Sequence, residues 1–279
     1  MSATAAASSR HQGSRRHPRV ATLVDPAAGL LDLRHKLRRL LRGSLASADE
    51  IRQARRAVRR LRLLLSLFGE PLGRRRRREL DERLRSLGRR LGRLRDWDVL
   101  RSSRAVVGEP QLAEAIDERR RKAMHKLERW IDGHRLPSLD AGLKAAARRL
   151  RRRAIEGREL DPRPLLDHRW TRLQQQLATV DGADPDSLHE LRRQVRKLRQ
   201  LGRWSAELLP RAAPKTFMPA LKQAQLALGL DHDARTARRL LARLDVDAAP
   251  PLAAGAAADA RLIGASLTRL RRLRPYWQR

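Results

Sequence analysis

Two segments of the chain carry basic residues at helical spacing, a pattern that suits binding of an extended anion. The first holds Arg52, Arg55, Arg59 and Arg62, and the second holds His189, Arg192, Arg196 and Arg199. Residues three and four apart share one face of an α-helix, so each set forms a cationic stripe. Four such bases span roughly 15 Å. Because guanidinium groups bind phosphate oxygens bidentately, each stripe suits a chain of phosphates better than a single one.

The two stripes belong to an internal repeat of the sequence. Residues 51–98 align with residues 188–235 without a gap. The alignment pairs identical residue types at the positions Arg55/Arg192, Gly92/Gly229 and Asp96/Asp233. A repeat of this length predicts two helical halves, each of which presents the same cationic face.

Each stripe flanks a seam of apolar residues on the same predicted helix. The seams consist of Ile51, Ala54, Val58, Leu61, Leu65 and Phe68, and of Leu188, Leu191, Val195 and Leu198. Seams at this spacing face a core, so the neighbouring bases are expected to be partly desolvated and weakly screened. Solvated faces or internal salt bridges are the alternative interpretation. The 64 Lys and Arg residues outnumber the 31 Asp and Glu residues, so most bases cannot pair internally.

Further basic residues extend the predicted anion site. Arg60 and Lys197 belong to a second basic row that also contains Arg56 and Arg193, farther from the seams and more exposed to solvent. Arg85 and Lys222 occupy equivalent positions on the two long helices. His189 has two open interpretations, a structural histidine and a histidine that contacts phosphate and is protonated when the anion is bound.

Two glycines and two aspartates recur beside the predicted site. Gly92 and Gly229 lie inside helices, where glycine costs about 1 kcal/mol, so their recurrence indicates close approach by a helix or a ligand. Asp96 and Asp233 cannot bind phosphate and are expected to orient neighbouring arginines. The clusters Asp96-Trp97-Asp98 and Asp231-His232-Asp233 each lack a third carboxylate at helical spacing, so we predict no metal site, no cofactor and no catalytic residue.

The composition predicts an all-α protein with a polyanionic partner. The chain has 279 residues and a formal net charge of +33, which favours nucleic acid, polyphosphate or an anionic membrane surface as partner. Only 3% of the residues are aromatic, so the core must consist of aliphatic side chains. The absence of cysteine excludes disulfides and zinc–thiolate sites and is consistent with the cytoplasm. No apolar run approaches the ~20 residues of a membrane span.

Apolar periodicity and helix-breaking residues divide the chain into about nine helices. We expect them over roughly residues 28–45, 47–68, 73–107, 111–133, 139–156, 165–180, 184–209, 214–244 and 258–273. Residues 1–24 are expected to form a disordered basic arm, and residues 247–257 a linker. The predicted architecture is two four-helix bundles, with a first half over 25–135, a connecting helix over 136–160 and a second half over 161–275.

The combined motifs resemble the CHAD family, the conserved histidine α-helical domain. The family pattern His-X-X-Arg-X-X-X-Arg-Arg/Lys-Leu-Arg is matched by His189, Arg192, Arg196, Lys197, Leu198 and Arg199. Its first-half version is matched by Arg55, Arg59, Arg60, Leu61, Arg62 and Phe68. The pattern Leu-Gly-X-X-Arg-Asp-X-Asp-Val is matched by Leu91, Gly92, Arg95, Asp96, Asp98 and Val99. The second half keeps Leu228, Gly229 and Asp233 of this pattern.

The resemblance covers about residues 25–275 and implies a fold and a ligand. It implies two four-helix bundles related by a pseudo-two-fold axis, with a basic cavity between them. It also implies binding of inorganic polyphosphate and association with polyphosphate granules. Arg52 stands where the family has its first-half histidine, which retains charge and removes pH sensitivity there. No Glu-X-Glu-X-Lys signature occurs, so the chain resembles the form without a triphosphate-tunnel domain.

Two other functions remain open at the level of the sequence. The positive charge supports a nucleic-acid-binding protein equally well, although no helix-turn-helix or aromatic platform accompanies it. A metal-dependent polyphosphate hydrolase is disfavoured because no convincing cluster of carboxylates is present. The sequence does not fix an oligomeric state.

Overall fold

The computed structural model describes residues 25–43, 45, 47–103, 106, 108–154, 162–181, 184–205, 216–244 and 256–278. These residues contain nine α-helices and no strand, which confirms the all-α prediction. The helices are α1 (Pro26–Arg42), α2 (Ala48–Phe68), α3 (Arg74–Arg101), α4 (Pro110–Asp132), α5 (Arg135–Ala154), α6 (Arg163–Thr179), α7 (Pro185–Ser205), α8 (Phe217–Leu241) and α9 (Ala256–Arg271). In this part of the chain no helix combines the length and apolarity of a membrane span. The predicted N-terminal arm lies outside the described residues.

Short polar residues fix where the first helices begin. The Asp25 carboxylate accepts hydrogen bonds at 2.9 Å from two backbone N–H groups in the first turn of α1. Ser47 and Glu50 form a reciprocal capping box, so α2 is capped by Ser47 and not by Asp49. Asp184 accepts from two backbone N–H groups at the start of α7. The caps at Ser47 and Asp184 set the starting points of α2 and α7, the two helices that carry the basic stripes.

Helix α3 is shorter than the sequence predicts. The periodicity extends it to Val107, but the helix ends at Arg101. The hydroxyl of Ser102 donates to the carbonyl of Asp98 at 3.0 Å, and that of Ser103 donates to a last-turn carbonyl at 2.7 Å. Hydrogen bonds of serine to nearby backbone compete with continuation of a helix, so the serine pair accompanies its end.

The described residues form three clusters of buried apolar side chains. The first takes residues from α1 to α5, and the second takes residues from α6 to α9 and the C-terminal segment. The predicted seam residues are buried in these two cores, except that Phe68 is half-buried at the edge of the first. The third cluster joins α3 and α4 to α8 through Trp97, Leu100, Leu112, Ile116, Leu240 and Leu241. The two sets of helices are therefore held together by apolar packing.

Helix α5, predicted as a connecting helix, is an integral part of the first core. Its Leu139 and Leu143 are buried among the other helices of that core. On α1, Nη2 of Arg34 lies 2.5 Å from Oδ2 of Asp140 on α5, and the arginine is almost fully buried. The first core is therefore built by five helices, where the sequence predicts a four-helix bundle.

Four aromatic residues of the second half pack together at its C-terminal end. Phe217 lies against the rings of Trp170, Tyr276 and Trp277 with centroid separations of 5.3 to 5.7 Å. The indole N–H of Trp277 donates to Asp167 of α6 at 2.8 Å. This cluster packs the C-terminal segment against α6 and α8, which support the stripe-bearing helix α7.

Candidate anion site

A cavity of about 610 Å³ lies between α2 and α7. Helices α2 and α3 pack together, α3 packs on α8, and α8 packs on α7, so the two stripe-bearing helices stand on opposite sides. Ten arginines and two glutamines line the cavity: Arg52, Arg55, Arg56, Arg59, Arg60, Arg95, Arg192, Arg196, Arg199, Gln200, Arg203 and Gln225. This lining is cationic and suits an anion with several charges.

Most of the two predicted stripes meet in this one cavity. Helix α2 contributes Arg52, Arg55 and Arg59, and α7 contributes Arg192, Arg196 and Arg199. Arg60, from the second basic row, also lines the cavity. The structure thus converts two stripes, read separately from the sequence, into opposing walls of a single site.

The opposing arginines interact strongly with one another. Burial, followed by the charges of Arg55 and Arg196, lowers the pKa of Arg59 to about 10. Burial, followed by the charges of Arg192 and Arg55, lowers the pKa of Arg196 to about 10. Both guanidinium groups remain protonated at neutral pH, so the cavity concentrates mutually repelling charge. An anion in the cavity would relieve this repulsion.

The repeated glycines make room for the arginines of the site. A β-carbon on Gly92 would lie 4.0 Å from Nη2 of Arg55, and one on Gly229 would lie 3.9 Å from Nη2 of Arg192. The close approach that the sequence predicts is therefore made by an arginine of the same half. Each guanidinium lies against the bare backbone of the adjacent long helix.

The repeated aspartates lie beside the same two arginines. Oδ1 of Asp233 is 4.0 Å from Nη2 of Arg192, a separation at the limit of an ion pair. Burial raises the pKa of Asp96, and the charges of Arg55 and Arg239 oppose that shift. The charge of Asp233 adds to the rise in the pKa of Asp96, so the two carboxylates are electrostatic neighbours. The role of these carboxylates in orienting arginines stays a prediction.

Two histidines meet next to the cavity. The Nδ1 atoms of His189 on α7 and His232 on α8 are 3.4 Å apart, and their ring centroids are 4.9 Å apart. Burial, followed by Arg192, lowers the pKa of His189, and the same causes lower that of His232 to about 4. His189 is the first residue of the predicted stripe on α7 and does not line the cavity, whereas the next stripe residue, Arg192, does.

Besides His189, four predicted anion-binding residues do not line the cavity. Arg62 and Arg85 both contact Asp81, each with a shortest separation of 2.6 Å, and neither lines the cavity. Lys197 is half-buried on the side of α7 that faces Arg169 of α6, whose charge after burial lowers the pKa of the lysine. Lys222 is exposed and does not line the cavity. Asp81 and Arg85 are four residues apart on α3, whereas the contact of Arg62 with Asp81 joins two helices and cannot be read from positions along α2.

Several lining residues were not part of the predicted site. Arg56, expected to face solvent, lines the cavity, as do Arg203 and Gln225. The Nη1 group of Arg199 donates to Oε1 of Gln225 at 3.0 Å. Arg95 belongs to the repeated motif, and its equivalent in the second half is His232. The repeat aligns Arg95 with His232, and this conservation of a basic residue type is the signal in the sequence that could have pointed to the two residues.

Asp98, on the other side of Trp97 from Asp96, forms an ion pair between helices. Oδ1 of Asp98 is 2.7 Å from Nε of Arg120 on α4, and the aspartate is buried. This ion pair fixes α4 against the end of α3. Within the described ranges, no group of three or more His, Cys, Asp or Glu side chains is arranged to hold a metal ion.

Known proteins share this fold. The family model that matches is the CHAD domain, over residues 27–242. The crystal structure of the CHAD domain from the plant Ricinus communis has a TM-score of 0.63 and 21% identity, covering 92% of this chain and 91% of that chain. PptA from Streptomyces chartreusis has a TM-score of 0.60 and 18% identity, covering 92% and 99%. No curated protein matches. The matched residues make up most of the chain, which therefore belongs to the CHAD domain family.

Proposed function

We propose that this domain binds inorganic polyphosphate in the arginine-lined cavity without altering it chemically. The observation that carries the proposal is the convergence of arginines from α2, α3 and α7 on one cavity of about 610 Å³. A flexible chain with a negative charge on every phosphate neutralises several of these arginines at once. In a cell that stores polyphosphate, such binding would recruit the protein from the cytoplasm to polyphosphate granules.

Charge compensation favours a linear polyanion over a single phosphate. The lowered pKa values of Arg59 and Arg196 indicate that the free site carries more positive charge than its surroundings stabilise. Arg192 also needs a hydrogen-bond acceptor, because its Nε atom is buried and has no hydrogen-bond partner among the described residues. A phosphate oxygen would supply the missing acceptor, and leaving such a donor unpaired costs about 1–3 kcal/mol.

The cavity favours polyphosphate over nucleic acid. Single-stranded nucleic acid is commonly bound by stacking its bases on aromatic side chains. The residues that line this cavity are arginines and glutamines, which offer no such surface. Polyphosphate has no bases to accommodate, so a cavity lined by guanidinium groups suits it better.

A charge reversal inside the cavity tests the proposal. We expect the double variant Arg55→Glu, Arg192→Glu to bind long-chain polyphosphate at least about 100-fold more weakly, because two charged contacts of about 1.5–3 kcal/mol each are lost. The matched control is Arg75→Glu, Arg78→Glu, which changes the net charge equally at two side chains that are 93% and 83% exposed. Equal losses in the two double variants would refute the cavity assignment.

The fold of the variants and the nature of the ligand are checked separately. Circular dichroism should show unchanged helix content, and Arg55→Gln, Arg192→Gln provides a milder pair if the charge reversal prevents folding. Duplex DNA at equal phosphate concentration should fail to displace polyphosphate, and efficient displacement would favour the nucleic-acid alternative. Phosphate release in the presence of Mg²⁺ or Mn²⁺ that is lost in Asp96→Asn would instead show a hydrolase.

A further inference from the structure

The repeat pairs two arginines of the first half with two histidines of the second. Arg52 aligns with His189, and Arg95 aligns with His232. Both arginines line the cavity and carry a permanent charge. The two histidines are in contact with each other, with Nδ1 atoms 3.4 Å apart. The same two basic positions are therefore permanently charged in one half and titratable in the other.

The surroundings of the histidine pair are strongly positive. His189 is affected by Arg192, Arg193 and Arg196 of its own helix, and Glu190 provides a partial counter-charge. His232 is affected by the same α7 cluster through Arg192 and Arg196, by His189, and by Arg239 on α8. Next to His232 in sequence, the Asp233 carboxylate is shared with Arg192, with Arg95 of α3 and with Arg55 of α2.

This environment keeps the free pair neutral at neutral pH. Burial and the surrounding arginines lower the pKa of both imidazoles, that of His232 to about 4. Two neutral rings share a single hydrogen between their Nδ1 atoms, with one ring donating and the other accepting. The pair then offers phosphate no charge.

We propose that His189 and His232 form a second phosphate-contacting subsite that takes up a proton from solvent when polyphosphate binds. The inference rests on the proposed function. A phosphate group placed between the arginines and the pair offsets the positive field that holds the rings neutral. A proton taken up by one ring gives both Nδ1 atoms an N–H group, and both can then donate to phosphate oxygens.

Proton uptake makes the affinity depend on pH in a defined direction. The bound phosphate raises the pKa of the pair above its value in the free protein. Affinity is therefore highest at acidic pH, decreases as pH rises through the pKa of the complex, and is constant above it. One coupled proton changes the affinity by at most about tenfold per pH unit. The first half, with Arg52 and Arg95, contributes no such dependence.

Calorimetry can count the proton directly. Polyphosphate binding is measured near pH 7 in two buffers of different ionisation enthalpy, and we expect uptake of up to about one proton per site. The variant His189→Gln, His232→Gln should lose this uptake, and His168→Gln should retain it because His168 is exposed on α6 and is not part of the histidine pair. The variant His189→Arg, His232→Arg should bind with an affinity that no longer changes between about pH 6 and about pH 8.

The outcomes separate this inference from the proposed function. Polyphosphate binding without proton uptake, or uptake that survives in His189→Gln, His232→Gln because it comes from terminal phosphates, overturns the histidine subsite alone. Absence of polyphosphate binding at every pH overturns the proposed function. If the double variant does not fold, NMR titration of the imidazole Cε1–H signals of the wild type gives the same answer. Signals whose pKa does not rise with polyphosphate would contradict the subsite.

Discussion

The guanidinium group of Arg55 lies against the backbone of Gly92, with Nη2 4.0 Å from the position that a β-carbon would take. Arg192 and Gly229 repeat this relationship at 3.9 Å in the second half. A helix position without a side chain thus supports each arginine at the point where α3 and α8 adjoin the cavity. Each glycine therefore belongs to the candidate anion site through the arginine that lies against it.

Filling the space above Gly92 should weaken anion binding. A leucine at this position would displace the Arg55 guanidinium, so we expect Gly92→Leu to reduce polyphosphate affinity by about tenfold, equivalent to about 1.4 kcal/mol. Gly92→Ala should bind normally and be more stable by about 0.5–1 kcal/mol, since 4.0 Å is an ordinary contact distance. Gly264→Leu on α9 is the control, because a β-carbon there meets nothing within 4 Å. Normal binding by Gly92→Leu would contradict this role.

Removing a cavity charge should stabilise the protein in the absence of anions. Arg59 is half-buried among other arginines, so Arg59→Met removes an uncompensated charge and retains apolar packing. We expect the free energy of unfolding to increase by about 1–2 kcal/mol at low salt, and polyphosphate binding to weaken. Thermal denaturation measures the gain, which should shrink as added salt screens the repulsion. Arg75→Met, at an exposed position, should change neither quantity, and a lower melting temperature in Arg59→Met would contradict the expectation.

The two arginines on Asp81 should matter for stability more than for binding. Arg62 and Arg85 contact this carboxylate, each at 2.6 Å, outside the cavity. We expect Arg85→Gln to change polyphosphate affinity less than twofold, and Asp81→Asn to lower the free energy of unfolding by about 1 kcal/mol. Isothermal titration and urea denaturation test the two statements. If Arg85→Gln loses as much polyphosphate affinity as Arg59→Gln, Arg85 contributes to anion binding and the expectation is wrong.

Stability of the free protein should fall on acidification through His232. Its pKa is lowered to about 4 by burial and Arg192, whereas an unfolded chain has a histidine pKa of about 6.5. Between these values the unfolded state binds more protons, so the free energy of unfolding decreases as pH falls. We expect the wild type to lose about 1–3 kcal/mol more than His232→Gln between about pH 7 and about pH 4.5. Parallel pH profiles of the two proteins would show that His232 does not make this contribution.

Local periodicity was enough to identify the helices and their buried faces. The seam residues Leu61 and Leu198 are fully buried, and the bases flanking them are largely half-buried. Helix ends were less predictable, because hydroxyl groups of Ser102 and Ser103 bond to the last turn of α3 before the apolar pattern stops. The packing of α5 into the first core was not predictable either, because its Leu139 and Leu143 pack among residues that lie far away in the sequence.

The sequence by itself determined the helical class, the repeat and the two stripes, because helical geometry places residues three and four apart on one face. Only the tertiary structure decided which charges meet. The packing of α3 between α2 and α8 makes the stripes opposite walls of one cavity, brings Asp81 to Arg62, and places His232 on α8 against His189 on α7. The contacts of Arg62 and of His189 are made with residues of neighbouring helices, and the spacing of residues along one helix does not tell which helix packs beside it.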